Sequence, residues 1–498
     1  MIILAIDQGT TGTKCICFDR SQRIVSGHSQ EFPQYYPRPG WVEHDAEEIW
    51  ECTLDTARRA LEKAGISPRE VAAVGITNQR ETTVIWDRES GKPVRRAIVW
   101  QCRRSADICA RCRERGLEDE VRRRTGLVLD PYFSGTKLTW VMENEPEVVK
   151  RAQAGELCFG TVDSWLLYRL TGGRVHATDV SNASRTLLFN LHDLSWDEEL
   201  ARIFEVPMSM LPEVRDSSGV FGETDPSSFL GISAPVAGIA GDQQAALFGQ
   251  ACFHPGMSKN TYGTGSFVLM NTGDRPTLSS RGLLTTVAWS IGGKTTYALE
   301  GSIFITGAAV NWLRDGLGII SEVSEIEGLA SQVEDAGGVY FVPAFVGLGA
   351  PYWNPRARAL LIGMTRGTTR AHVARAAIES MALQTCDVVE AMVEETGIPL
   401  KELRVDGGAS VMDMLLQYQA DLLGVPVRRP VIPETTSLGA ALLAGLATGV
   451  WKDLEEIEER WEVDREAAPD PAAEERARKM RRYWRRAVER SLDWVLEE

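Results

Sequence analysis

No stretch of this 498-residue chain holds the about 18–20 consecutive apolar residues that cross a bilayer. The longest candidate, 438–451, carries three glycines and predicts a buried helix instead. A basic excess is also missing: 54 Lys and Arg stand against 69 Asp and Glu, for a formal charge of −15. Gripping a nucleic-acid backbone takes a concentrated positive surface, so this balance argues against DNA and RNA partners. The chain lacks a charged leader with a small-residue cleavage site and opens directly on the strand-like Ile2-Ile3-Leu4-Ala5-Ile6, which predicts a cytoplasmic protein. Histidine is scarce, at six, and none falls in an assignable motif, which points toward carboxylate chemistry. Nine scattered cysteines fit reduced thiols rather than a disulfide framework. Cys109 and Cys112 form a CxxC near Cys102, but no second pair or histidine completes a zinc site. Solenoid repeats and low-complexity linkers are absent. So is any complete Walker A or G-x-G-x-x-G loop; Gly293-Lys294-Thr295 imitates the end of the former but reads as a hairpin turn.

What is present is an ordinary globular composition, 44% apolar and 25% charged. Single cores stop growing near about 250–300 residues, so the chain should divide in two and leave a cleft. Its first 20 residues predict a strand, the glycine-hydroxyl turn Asp7-Gln8-Gly9-Thr10-Thr11-Gly12-Thr13, and a second strand over 14–18. Strands follow over 71–77, 82–86 and 98–100, with a helix over 46–64 led by Glu47 and Glu48. Near residue 233 the pattern restarts: strand 235–240 ends in Gly241-Asp242-Gln243, a helix follows over 244–248, and strands 257–262 and 267–270 flank Gly263-Thr264-Gly265-Ser266. Two hairpins of one type imply a duplicated α/β architecture with its boundary near residue 248. Strand 404–406 then runs into Gly407-Gly408, and the last 30 residues predict a basic amphipathic helix with Met480, Trp484, Ala487, Val488, Leu492 and Val495 on one stripe.

The turn at 7–14 surrounds a concavity with backbone N–H groups and hydroxyls, which suits phosphate oxygens. Asp7 suits a water-bridged magnesium ion, and Lys14 adds a point charge. A second such turn at 263–265 would clamp a polyphosphate from the other side, and Gly407-Gly408 lets backbone approach a flat ligand. Arg80 and Glu81 offer donors beside an acceptor, as neighbouring hydroxyls of a small polyol require. Trp100 and Tyr132 are candidate pocket walls. Asp242, at a strand-to-helix transition, is placed to act as a helix cap or as a base at the cleft.

Asp7-Gln8-Gly9-Thr10-Thr11, Asn78-Gln79-Arg80-Glu81-Thr82, Trp100-Gln101-Cys102-Arg103, Asp130-Pro131-Tyr132-Phe133-Ser134-Gly135-Thr136-Lys137, Gly241-Asp242-Gln243-Gln244, Asn260-Thr261-Tyr262-Gly263-Thr264-Gly265 and Asp406-Gly407-Gly408-Ala409 form one ordered series. Over essentially the whole chain this series resembles the FGGY carbohydrate kinases of the actin-like ATPase superfamily, and among them those acting on glycerol. The resemblance implies two ribonuclease-H-like domains flanking a deep cleft. Residues 1–248 would carry the glycerol site and first phosphate loop, and 249–498 the second phosphate loop, the adenosine site and the C-terminal helix. It implies Mg2+-dependent transfer from ATP to glycerol, giving sn-glycerol 3-phosphate, in a homodimer or homotetramer. Glycerol contacts would come from Arg80, Glu81, Tyr132, Asp242 and Gln243, with Trp100 and Phe267 against the carbon chain and Asp242 as general base. Thr10, Thr11, Gly12, Lys14, Thr264, Gly307, Asn311, Gly408 and Met412 would face the nucleotide, and Asp7 and Asp242 the magnesium ion.

Three of these positions depart from the family pattern. Lys14 stands where many relatives have Arg, Asn311 where Gln is common, and Met412 where relatives often place Asn. Segment 222–237 contains no Arg, Lys or His, so neither fructose 1,6-bisphosphate nor histidine phosphorylation is expected to regulate the protein. A kinase for another polyol or sugar, of the xylulose or erythritol type, would share the scaffold and differ at Arg80, Glu81, Trp100 and Tyr132. A non-metabolic actin-like ATPase would leave that pocket unexplained.

Overall fold

Ile2–Gln8 is buried at every position except the half-buried Asp7, as expected of a strand covered on both faces. In the computed structural model, which describes residues 1–496, this strand belongs to a sheet of thirteen. In chain order they are β1 (Ile2–Gln8), β2 (Gly12–Phe18), β3 (Ile24–Glu31), β4 (Val71–Asn78), β5 (Ser218–Glu223), β6 (Pro235–Gly241) and β7 (Met257–Tyr262). Then come β8 (Ser266–Gly273), β9 (Leu284–Ile291), β10 (Lys294–Ile303), β11 (Glu402–Asp406), β12 (Val427–Pro430) and β13 (Val463–Ala467).

Spatially, β3-β2-β1-β4-β6 in the first half is matched by β10-β8-β7-β11-β12 in the second. In both sets the first three strands pair antiparallel and the last three parallel. This repeat makes each half a ribonuclease-H-like unit, as the two hairpins predict. The halves meet in the sheet through a single residue pair, Ser218 with Ile291 of β9.

Register decides where the loops emerge. Gln8 of β1, Asn78 of β4 and Gly241 of β6 stand in one row, so the first glycine turn, Arg80-Glu81 and Asp242 leave the same edge. Thr261 of β7 pairs with Asp406 of β11, which brings out Gly263–Gly265 and Gly407-Gly408 together. Ligands of open α/β sheets gather beyond such carboxyl ends.

Helices cover both faces. The first, α1 (Ala46–Lys63), starts where Asp45 accepts the Glu47 N–H at 2.9 Å. Asp242–Gly249 (α2) crosses Thr435–Ala447 (α3), which is apolar nearly all round and packs against β1, β4 and β6. The crossing is close enough that a Cβ on Gly439 would lie 1.9 Å from Ala245 O, and one on Gly249 would lie 2.0 Å from Thr435 O. The C-terminal helix α4 spans Glu474–Ser491 and buries Met480, Trp484, Ala487 and Val488. It ends earlier than its apolar stripe predicts: Leu492 is its C-cap, and Val495 lies beyond it, 36% exposed. Gly292 and Gly293, both at positive φ, form the β9–β10 hairpin turn, so the Walker-like Gly293-Lys294-Thr295 is a turn. Among the described residues no helix is long and apolar enough to cross a membrane.

Candidate active site

The first glycine turn is fixed from behind. Gly9 N–H donates to Gly12 O at 2.9 Å, Gln34 Nε2 to Thr10 O at 3.0 Å, and Gln79 Nε2 to Gly9 O at 3.2 Å. With its carbonyls engaged, the turn leaves the Thr10 and Thr11 N–H groups without a protein acceptor among the described residues. Asp7, beneath the turn, accepts a hydrogen bond from Ser437 Oγ at 2.9 Å on one carboxylate oxygen. Burial pushes the Asp7 carboxyl up to about 6 against the opposing pull of Lys14. Lys14 itself pairs with Glu434, at the N-cap of α3.

The second turn has the same construction. Thr306 and Ala308 N–H donate to Thr264 O at 2.9 and 3.0 Å, and Gly307 N–H donates to Gly263 O at 3.0 Å. A Cβ on Gly307 would stand 2.6 Å from that Gly263 oxygen, so this position is glycine for packing. The Thr264 and Gly265 N–H groups remain without protein acceptors among the described residues. Each turn therefore presents two adjacent free amides, the arrangement of an anion-binding nest. Gly407 adopts φ 84° against the Tyr262 backbone, while Gly408 faces open space. Asp406 accepts from Thr435 Oγ1 at 2.8 Å and Gln250 Nε2 at 2.7 Å, so the start of α3 is bonded beneath both Asp7 and Asp406. Asn311 is exposed, and Met412 is buried within the apolar core of the second half.

The remaining predicted residues gather around Arg80. Arg80 and Glu81 are almost wholly buried, and Glu81 takes a left-handed φ of 61°, a strained conformation for a residue other than glycine. Arg80 Nε stands 3.1 Å from Asp242 Oδ1, and its Nη1 donates to Gln244 Oε1 at 3.2 Å. The same Asp242 oxygen accepts the Gln243 N–H at 2.7 Å. Asp242 is the first residue of α2, with Gly241 at the N-cap. Trp100 and Tyr132 meet edge to face with centroids 5.4 Å apart, and Trp100 Nε1 donates to Thr10 Oγ1 at 2.8 Å, tying pocket to turn. Phe267 lies with its ring centroid 5.9 Å from Arg80 Cζ. Chemically, this is a cluster of paired donors and acceptors with two aromatic side chains and one part-exposed carboxylate.

Sequence reasoning missed several charged residues that contact this cluster. Glu300 of β10 and Arg185 are fully buried beside Arg80 and Glu81. Lys259 of β7, also fully buried, donates to Gln243 Oε1 and to Thr261 Oγ1; burial lowers its amine to about 8, against Asp406 and Asp242. Lys137 was visible as part of a motif, but not its work: its Nζ gathers the carbonyls of Pro131, Tyr132 and Phe133 from below. For Glu300 and Lys259 the available signal was a charge inside a strand run, because such a group is buried only with partners. No cluster of three potential metal ligands occurs among the described residues.

Comparison with known proteins agrees with this architecture. Residues 2–249 match the N-terminal domain, and 258–448 the C-terminal domain, of the FGGY family of carbohydrate kinases. The chain is 60% identical to glycerol kinase 2 of Thermotoga maritima over 99% of both chains. It is 58% identical to the glycerol kinase of Symbiobacterium thermophilum, again over 99% of each. A crystal structure of Plasmodium falciparum glycerol kinase with ADP superposes with a TM-score of 0.92 at 36% identity, covering 100% of this chain and 99% of that one. A ligand-bound xylulose kinase from Lactobacillus acidophilus shares the fold, at a TM-score of 0.88 and 22% identity over 97% of both chains. With both domains matched in order and full-length relatives this similar, the chain belongs to the FGGY family of carbohydrate kinases.

Proposed function

We propose that this protein transfers the γ-phosphoryl group of ATP to glycerol, releasing ADP and sn-glycerol 3-phosphate. The observation that carries this reading is the part-exposed Asp242, 3.1 Å from Arg80, in a cluster that also holds Glu81 and the Trp100–Tyr132 pair. That cluster supplies both donors and acceptors for adjacent hydroxyls, and a carboxylate for a terminal one. Full-length relatives named glycerol kinase, at 56% to 60% identity, support the same substrate.

Asp242 is the base. Arg80 and the Gln243 N–H both engage Oδ1, leaving Oδ2 without a protein partner among the described residues to take the proton. As the glycerol oxygen loses that proton it bonds to the γ-phosphorus, and the bond from phosphorus to the bridging oxygen breaks, so that ADP leaves. A carboxylate suffices, because phosphoryl transfer is mostly positioning and charge neutralisation. The free amides of the two turns, with Lys14, would hold the phosphate oxygens.

Asp7 and Asp242 fit a magnesium ion, which takes one or two carboxylates and fills its remaining positions with water and phosphate oxygen. One Asp7 oxygen has no protein partner among the described residues, and it is the free acceptor that an ion's positive charge would face. When bound, the ion supplies that charge to the phosphates. Residues 1–248 then carry the glycerol site and the first phosphate loop, and 249–498 the second phosphate loop and the adenosine site. Nine buried free thiols suit a reducing compartment such as the cytoplasm.

Coupled ADP release measured with glycerol, erythritol, xylulose or no polyol tests the proposal. Release that requires glycerol is expected; release that is equal without a polyol, or that appears only with xylulose, contradicts it.

A further inference from the structure

Arg80 and Glu81 are adjacent opposite charges, and left alone they would close on each other and quench the donor and acceptor that a polyol needs. They do not close: Arg80 Nε remains 3.8 Å from Glu81 Oε1. Each is held instead by an opposite charge from elsewhere in the chain. Glu300 accepts from Arg80 Nη1 at 2.5 Å and from Nη2 at 3.1 Å. Arg185 donates from Nε to Glu81 Oε1 at 2.7 Å and from Nη2 to Glu300 Oε1 at 2.9 Å.

We infer that Arg185 and Glu300 are positioning residues of the polyol pocket, which keep Arg80 and Glu81 apart and aimed at the ligand. The inference rests on the reading of Arg80 and Glu81 as polyol contacts. Donor counting shows what the arrangement leaves over. Both Nη1 hydrogens of Arg80 are committed, to Gln244 and Glu300, and one Nη2 hydrogen to Glu300, so one Nη2 hydrogen is uncommitted. Glu81 Oε2 likewise has no hydrogen-bond partner among the described residues, its Oε1 being taken by Arg185. One spare donor beside one spare acceptor is the minimum for a hydroxyl pair.

Arg185 also buttresses a pocket wall. Its Cζ lies 5.7 Å from the Tyr132 ring centroid and 5.3 Å from that of Phe133, while its buried Nη1 has no hydrogen-bond acceptor among the described residues. The aromatic faces take the place of that acceptor. Two positive and two negative side chains balance in a region almost free of water, which is tolerable only when each is paired. Burial pushes the Glu300 carboxyl up, but Arg185 and Arg80 outweigh it and hold it at about 2. Because Glu300 comes from the second half and the other three from the first, the network also fixes β10 to the polyol loop.

The test compares full-length wild type, Arg185→Lys and Glu300→Gln for glycerol KM, ATP KM, kcat and melting temperature. Lysine keeps the charge but cannot span Glu81 and Glu300 as a fork. The expected result is a glycerol KM raised at least about tenfold, with ATP KM within about twofold of wild type. Should Glu300→Gln fail to fold with its arginines unpaired, Arg185→Lys still decides. A lowered melting temperature with unchanged glycerol KM in Arg185→Lys overturns the inference and makes the network merely structural. Wild type that releases no ADP in response to glycerol instead overturns the functional reading, and this inference with it.

Discussion

Lys14 Nζ donates to Glu434 Oε2 across 2.5 Å, joining residues 420 apart in sequence, and each side chain is 35% exposed. Lys14 is a candidate phosphate contact, and in that role nucleotide binding would exchange its Glu434 partner for phosphate oxygen. Lys14→Met should raise the KM for MgATP about tenfold, the scale of one charge-assisted contact, without changing that for glycerol. Glu434→Gln should leave the ATP KM unchanged or lower it. A rise in ATP KM for Glu434→Gln would show that the pair acts as a unit. Initial-rate kinetics at fixed glycerol distinguish these outcomes.

Asp242→Asn keeps the shape of the side chain and can still accept from Arg80, but it removes the proton acceptor. General-base assistance is typically worth about 10²–10⁴-fold, so kcat should fall by that range while binding of glycerol largely persists. Single-turnover ADP release with glycerol titration separates the two effects.

The first phosphate turn has an acid-sensitive brace. His44 is fully buried, with Nε2 2.7 Å from Gln34 Oε1 and Nδ1 3.3 Å from Gln79 Nε2, and these two glutamines hold the turn's carbonyls. Burial lowers the imidazole to about 4, below its usual value of about 6.5. The unfolded chain therefore binds a proton that the folded chain refuses. Stability from this group is whole above about pH 6.5 and is lost toward pH 4, by up to about 1.4 kcal/mol per pH unit. Urea unfolding at pH 7 and pH 5 should show this loss in the wild type and a smaller one in His44→Gln.

Gly439 lies within α3, where helix propensity alone favours alanine by about 1 kcal/mol. The Cβ, however, would meet Ala245 O at 1.9 Å, inside the crossing that supports Asp242. Gly439→Ala should therefore destabilise the protein by more than about 2 kcal/mol, opposite in sign to the propensity effect. Equilibrium urea denaturation checks the sign directly.

The legible parts of this molecule were the local ones. A strand, a glycine-hydroxyl turn and a returning strand are contiguous, so the turns at 9–12 and 263–265 could be read with their repeat. Trp100 beside Tyr132 and Asp242 at the start of a helix followed from motifs of a few residues. Glu300 and Arg185 were opaque because their partners lie 220 and 104 residues away in sequence. The role of Glu434 and the packing reason for Gly307 were hidden likewise, since each depends on a segment brought near by sheet order. The end of α4 was misjudged because an apolar stripe continues past the last helical residue as Leu492 and Val495.

The central claim is that the two turns grip one polyphosphate with Asp242 beside the polyol's end oxygen. A crystal structure of the protein with ADP and glycerol tests it most directly. Phosphate oxygens are expected within hydrogen-bonding distance of the Thr10, Thr11, Thr264 and Gly265 amides, with a glycerol hydroxyl on Asp242. Glycerol lodged away from Asp242, or a turn facing bulk solvent with nucleotide bound, would contradict it.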